Sequence, residues 1–517
     1  MMFDVLIQNG WVVDGSGKTR FKADVAVTQG KIVDIGQFPQ AEAGMVINAQ
    51  DRVVCPGFID VHSHSELRML AGKHTAGIQM GVTTEFTGAD GFSFAPLTPA
   101  RLKEYQAYLQ SIYGNEEVGW DWTSLEEYTQ RFEGQIYNNL ALQVPHGVLR
   151  LAVKGWQGGA ATDEEIERMA RLARQFMELG AVGFNTGLDY APASHSDLRE
   201  LVGISRVVGE YDGVYAAHMR GYSDVEREKA IAETLAVAEG AGVGVHISHF
   251  FGDEQVYAST VRARQRGIDI TFDSYCYPAG CTALGIVLPR TLMQKPVSEF
   301  VEELKTSQVR TLVAKSVEDY FPPDSPAYIG YVSRSHNRWM EGHRLREVWG
   351  RSEQTFGDFV CDLLIDEAFT VQLVYPWVLD PRQAEERMHH TLTHPLQMLI
   401  TDGLYNGSFT HPRGWGNYPR MLGVFVREKK WLSLEDAVRR MTSFPAQRFG
   451  LKNRGILEKY KSADLVVFDP LTIRDAATFE NPRLPPVGID HVFVNGSLVC
   501  SHGKLTSSKA GQVIQKG

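Results

Sequence analysis

Hydrophobic and polar positions along the chain follow two different grammars. At both ends, apolar and β-branched residues alternate with polar ones in short runs that stop at turn residues. DVLIQNGWVVDGSG predicts two strands around Asn9-Gly10, and ADVAVTQGKIVDIG repeats the pattern around Gln29-Gly30. The same alternation returns in SADLVVFDP and in GIDHVFVNGSLVCSHGK, with a turn at Asn495-Gly496. Period-two alternation of this kind marks half-buried strands. Two strand-rich ends around a different middle predict one small β-sandwich domain, formed by residues 1–56 and 451–517.

Between them, continuous apolar runs alternate with amphipathic helices. The candidate buried strands lie near 57–62, 83–88, 139–144, 181–186, 213–218, 244–249, 269–275 and 397–403. Thr162 with Glu165 forms a capping-box pattern, followed by Ile166, Met169, Ala170, Ala173 and Met177 on one face, with Gly180 as the stop. Ser223 with Glu226 repeats the signal before the next helix. Strands alternating with helices define an α/β class, and eight of them fit a (β/α)8 TIM-like barrel over residues 57–415 better than an open sheet. Counting strands does not settle closure. Residues 285–390 break the rhythm with helical, Trp- and Arg-bearing segments such as PVSEFVEELKTSQVRTLVAK. An insertion of that size covers an active site or makes a subunit contact. Residues 416–450 read as a helical connection.

Composition narrows the class. The chain has 517 residues, 43% hydrophobic and 22% charged, which excludes a disordered chain. Its net charge of −10 argues against nucleic acid or an anionic membrane as a partner. No apolar run approaches the ~18 residues of a membrane span, and the opening MMFDVLIQNG lacks the basic and apolar regions of a signal peptide. The five cysteines are odd in number and irregularly spaced, so no disulfide framework is implied. These features predict a cytoplasmic location.

The chemistry sits at strand ends. In PGFIDVHSHSE, His62 and His64 are two residues apart, which on a strand places both on one face. They follow an apolar run and so belong at its carboxyl end, where barrel active sites lie. His218 closes GVYAAH, His249 closes GVHISH, and Asp402 follows QMLIT. Any one alone reads as a satisfied interior polar group. Four imidazoles and a carboxylate converging on one barrel mouth read as a site for a divalent metal.

This arrangement resembles the amidohydrolase superfamily, and within it the N-acyl-D-amino-acid deacylase (D-aminoacylase) family. The matching stretches include GVTTEFTGADGFSFAPL, GFNTGLDYAPAS, YAAHMR, HISH, DSYCYPAG and ITDGLYNGSFTHPRGWGNYPRMLG. The resemblance implies a zinc-dependent hydrolase of non-peptide C–N bonds that holds one tight zinc, with room for a second, weaker divalent metal. It implies His218 and His249 as ligands of the tight zinc, His62 and His64 as ligands of the weaker position, and Asp402 as the proton-shuttling carboxylate. It further implies that Arg413 holds a substrate carboxylate and that Tyr190 and Tyr277 line the same pocket.

Two departures stand out. The family carries a metal-binding cysteine after the second strand, whereas this chain reads Gly88-Ala89-Asp90-Gly91. Asp90 can bind or bridge a metal through its two oxygens, or simply cap the turn. The family also has a lysine soon after the histidine of the sixth strand, where this chain has Phe250 and Phe251, predicting a more apolar pocket. Lys154 reads as solvent-facing, His246 as structural, His411 as a group that orients Arg413, and His389 and His390 as solvated. The expected partner is a small-molecule amide bearing a carboxylate, and a homo-oligomer is compatible with the insertion. The alternatives are a cyclic-amide hydrolase, hydantoinase- or dihydroorotase-like, and a catalytically inactive barrel scaffold.

Overall fold

The computed structural model describes residues 2–223, 225–376 and 380–516, so residues 377–379 of the predicted insertion lie outside the described residues. The middle of the chain supplies eight parallel strands: Phe58–Asp60, Val82–Phe86, a third in two pieces (Asn139–Ala141 and Val144–Pro145), Gly183–Gly187, Val214–His218, Gly244–Ile247, Ile270–Ser274 and Gln397–Leu399. Ladders join neighbours in chain order. At its break the third strand stays tied to both neighbours, by Thr87 N–H to the Ala141 carbonyl (3.0 Å) on the second-strand side and Val182 N–H to the Leu142 carbonyl (2.8 Å) on the fourth-strand side. The eighth strand returns to the first. Asp402 N–H donates to the His62 carbonyl at 2.8 Å and His64 N–H to the Gly403 carbonyl at 3.2 Å. Asp60 adds a side-chain seam, accepting from Thr401 Oγ1 at 2.5 Å and from Thr401 N–H. These contacts close the barrel.

Local signals held where the chemistry was specific. The helix Asp163–Glu178 starts on the predicted capping box: Thr162 Oγ1 accepts from Glu165 N–H (3.2 Å) and Glu165 accepts from Thr162 N–H (2.8 Å). Met169, Ala173 and Met177 are buried on its inner face. The Ser223–Glu226 contact also forms, just ahead of the helix Arg227–Ala241.

Both termini build one nine-stranded sheet in which Val53–Pro56 pairs antiparallel with Leu465–Phe468. Val25, Val27 and Ile32 share a core with Leu465, Val467 and Phe493, so the sheet folds over on itself. The two hairpin turns meet through Ala463, whose N–H donates to the Gly30 carbonyl and whose carbonyl accepts from Gly496 N–H, each at 2.9 Å. Asn495 and Gly496 take the left-handed backbone such a tight turn needs (φ 49° and 79°). Asn9-Gly10 is different: it makes a bulge inside a single strand, Phe3–Val12, and not a turn between two. Asn9 N–H is diverted to Asp24 Oδ1 (2.8 Å), and Gly10 passes so close to Val54 that a Cβ would fall 2.5 Å from its Cγ2. The last strand, Val513–Ile514, leaves this sheet and pairs in parallel with Leu140–Ala141 of the barrel.

The inserted segment follows the seventh barrel strand. It carries its own antiparallel sheet, Ala279–Ala283, Val371–Pro376 and Tyr328–Val332, backed by helices such as Ser307–Tyr320 and Phe356–Asp366. It meets the barrel at the carboxyl ends of the strands, where Arg290 bonds Asp189 and Gln372 Nε2 donates to the Ser111 carbonyl at 3.0 Å. Among the described residues, no helix is long and apolar enough to cross a membrane.

Candidate metal centre

The barrel strands end by releasing polar side chains into one buried space. His62 and His64 follow the first strand, Asp90 lies in the turn after the second, His218 is the last residue of the fifth, His249 follows the sixth and Asp402 the eighth. This release explains why several strands are shorter than their apolar runs. Three of the residues leave the strand direction through left-handed backbone: Asp90 (φ 55°), His249 (φ 35°) and Asp402 (φ 46°). Such conformations cost about 1–3 kcal/mol each and persist only where the surroundings over-determine them. Here Asp273 accepts from His249 N–H, and the His62 carbonyl accepts from Asp402 N–H.

Asp90 is the hub. Its Oδ1 lies 3.4 Å from His62 Nε2, 3.5 Å from His218 Nδ1 and 3.8 Å from His249 Nε2. Its Oδ2 lies 3.5 Å from His64 Nε2, which is itself 3.3 Å from Asp402 Oδ1. The arrangement has two lobes. In His62, Asp90 and His249, and again in His62, His64 and Asp402, the potential ligand atoms all lie within 4.8 Å of one another.

Burial sharpens the electrostatics. Burial disfavours charge on His62 and His218, yet Asp90 beside both, with Asp402 near His62 and Asp189 near His218, outweighs it and raises them to about 10 and about 9. Asp90, despite burial, is held well below the usual carboxylate range by His62 and His218. Asp402 is lowered too, burial being overridden by Arg413, His64 and His62. Two buried carboxylates thus demand positive charge, which comes from protonated imidazoles or from a cation that displaces their protons.

The donor set fits a metal. His62 Nδ1 and Nε2, His64 Nδ1, Asp90 Oδ1 and His218 Nδ1 are buried without a hydrogen-bond partner among the described residues. Buried polar atoms are rarely left so. Mixed imidazole and carboxylate donors suit zinc or a similar divalent ion.

Beyond this cluster, Arg413 is fully buried. Its Nη2 lies 2.9 Å from Asp402 Oδ2, its guanidinium carbon sits 4.3 Å from the Tyr275 ring centre, and its nitrogens lack an aligned hydrogen-bond acceptor among the described residues. His411 accepts from Arg413 N–H at 3.1 Å through Nδ1 and donates to the Ala279 carbonyl through Nε2 (3.1 Å). Burial and the Arg413 charge hold His411 well below its ordinary pKa, so it stays neutral. Tyr190 lies against His218, with ring centres 4.8 Å apart, and its hydroxyl pairs with Thr282 Oγ1 at 2.9 Å.

Tyr277 stands apart from the pocket predicted for it. Its hydroxyl donates to Asp475 at 3.2 Å and its ring lies under Arg420, while Tyr275 takes the place against Arg413. Phe250 also departs from expectation, packing in the core against Tyr257 and Phe272. Phe251 alone faces the Tyr275 side, its ring centre 5.0 Å away. Lys154 lies 3.5 Å from Glu165, away from the cluster. His246 pairs with Thr271 and Asp273 at 2.8 Å each, a supporting place. His389 is exposed and His390 half-buried on the helix Pro381–Thr393.

Sequence reasoning missed three carboxylates that support the cluster. Asp60 seams the barrel, Asp273 holds His246 and the His249 backbone, and Asp189 lies 3.3 Å from His218 Nε2. A charged residue inside an apolar strand run, as in DITFDSY, was the signal for Asp273.

A closed (β/α)8 barrel with imidazoles and carboxylates gathered at its carboxyl mouth, beside a sheet domain built from both termini, is the architecture of a metal-dependent amidohydrolase. The amidohydrolase family model matches residues 45–322 and 368–500, and the chain belongs to that family, in its N-acyl-D-amino-acid deacylase branch. It is 32% identical to D-aminoacylase of Alcaligenes xylosoxydans xylosoxydans over 99% of this chain and 98% of that protein. It is 31% identical to the N-acyl-D-glutamate deacylase of the same organism, covering 99% and 96%. A crystal structure of N-acyl-D-glutamate deacylase from Bordetella bronchiseptica, complexed with zinc and a phosphonate mimic of the tetrahedral intermediate, superposes with a TM-score of 0.81. It shares 30% identity over 100% of both chains.

Proposed function

We propose that this chain hydrolyses the acyl amide of an N-acyl-D-amino acid or close analogue, releasing a carboxylic acid and a free amine. The observation that carries the reading is a buried Arg413 whose Nη2 lies 2.9 Å from Asp402 and whose guanidinium has no aligned hydrogen-bond acceptor among the described residues, with Asp402 itself bordering the His62–His64 lobe. A guanidinium fork suits a substrate carboxylate, and its position puts that carboxylate one residue away from the group that moves protons.

In this reading His62, His64, Asp90, His218 and His249 hold the metal, with Asp90 between the two lobes. A zinc held there lowers the pKa of water to ~7 and polarises the amide carbonyl. Asp402 takes the proton of the attacking water and returns it to the nitrogen of the breaking C–N bond, which otherwise leaves poorly. Arg413 and Tyr275 fix the carboxylate end, and Tyr190 walls the side near His218. The preference for the D form is supported by the relatives alone. The five cysteines are all buried and free, which supports a reducing, cytoplasmic setting.

Stripping the protein with chelator and restoring zinc tests the reading. Hydrolysis of N-acetyl-D-amino acids should disappear and return. Turnover that survives complete metal removal would contradict it.

A further inference from the structure

His218 differs from the other imidazoles of the cluster in what its far nitrogen meets. Its Nδ1 faces Asp90 Oδ1 at 3.5 Å, and its Nε2 lies 3.3 Å from Asp189 Oδ2. Among the described residues, His62, His64 and His249 show no hydrogen-bonded carboxylate on the nitrogen turned away from Asp90; the nearest, Asp273, is 3.9 Å from His62 Nδ1. Donation from Nε2–H to a carboxylate fixes the imidazole tautomer, aims the Nδ1 lone pair into the cluster and makes it more basic.

Asp189 is in turn held from outside the barrel. It lies in the loop after the strand Gly183–Gly187, and its Oδ1 accepts from Arg290 of the inserted segment. A second tie joins the same partners, His195 Nε2 donating to the Met293 carbonyl at 3.3 Å. From the barrel side, Arg220 donates to the carbonyls of Ser194 (2.5 Å) and Ser196 (3.0 Å). Asp189, Tyr190, Arg290 and Met293 line one cleft at the barrel mouth. The Arg290 side chain is 41% exposed against 13% for Asp189, and an ion pair whose cation sits in water adds little to fold stability by itself.

We propose that Asp189 is a positioning residue for His218 and that Arg290 is its outer anchor, so that seating of the insertion sets how tightly the barrel holds its metal. The inference rests on the metal-dependent reading above and extends it, giving the inserted segment a part in metal retention.

The test is zinc affinity of the full chain, measured by competition with a chromogenic chelator. Asp189→Asn should weaken zinc binding by about 10–100-fold, the range for supporting carboxylates of metal-bound histidines, and Arg290→Ala by about tenfold. Asp189→Glu should recover part of the loss. The metal-free unfolding midpoint of Arg290→Ala should match the wild type, and because Arg290 is a surface side chain this variant decides the matter if Asp189→Asn folds poorly. Equal zinc affinity in wild type and Arg290→Ala, or a metal-free midpoint that falls along with the affinity, overturns the inference alone. A wild-type protein that takes up no stoichiometric zinc overturns the reading beneath it as well.

Discussion

Arg413 Nη2 lies 2.9 Å from Asp402 Oδ2, while the other oxygen of the same carboxylate lies 3.3 Å from His64 Nε2. One side chain therefore touches both Arg413 and the His62–His64 lobe of the cluster. Arg413→Lys should keep the charge and lose the fork. Loss of one charge-assisted hydrogen bond is worth about 1.5–3 kcal/mol, so KM for a free-carboxylate substrate should rise roughly 10–100-fold. Steady-state kinetics with the acid and its methyl ester checks this: the wild type should favour the acid, and the variant should lose most of that preference.

Asp402→Asn removes the carboxylate proposed to carry the proton without removing an essential part of the barrel seam, since the hydrogen bond to the His62 carbonyl comes from the Asp402 backbone. kcat should fall by about 10²–10⁴. Metal analysis of the same preparation should show zinc still bound.

Asp90 faces three imidazoles through one oxygen and a fourth through the other. Asp90→Ala should leave the protein with a small fraction of its zinc and no measurable turnover, whereas Asp90→Cys should retain zinc, because a thiolate is a competent ligand. Elemental analysis after dialysis distinguishes them. Full zinc content in Asp90→Ala would remove Asp90 from the ligand set.

His394 sits on the approach to the strand Gln397–Leu399, which leads to Asp402. Burial and the Arg440 charge hold its pKa down at about 4, and its Nδ1 accepts from Leu396 N–H at 3.3 Å. The unfolded chain binds this proton near 6.5, so between about 6.5 and 4 the unfolded state carries more protons and folding stability falls as pH falls. His394→Gln lacks that titration. Thermal unfolding of both proteins across this window should show the wild type losing stability more steeply on acidification.

The barrel and most of the cluster were legible because the same residues do two jobs. His62, His218, His249 and Asp402 end apolar runs, so the strand pattern located them before any chemistry was considered. Asp90 is legible only through its contrast with the cysteine of the resembled family, since a turn carboxylate has many ordinary uses. Tyr277 was assigned to the pocket by the resemblance alone; past the end of the strand at Ser274, Tyr275 lies against Arg413 while Tyr277 packs beside His411 and reaches Asp475. Phe250 follows the left-handed turn at His249, which redirects it into the core. Asp189 escaped notice because its partners, His218 and Arg290, are 29 and 101 residues away. Local pattern carries no trace of such a contact.

Chiral product analysis decides whether the protein releases D-amino acids in a metal-dependent way. Zinc-loaded protein would be incubated with matched N-acetyl-D- and N-acetyl-L-amino acids together with cyclic amides such as hydantoins. Free D-amino acids should appear, only with metal present, while L-substrates and rings stay intact. Ring opening with no amino acid released from the D set, or release from the L set instead, would contradict it.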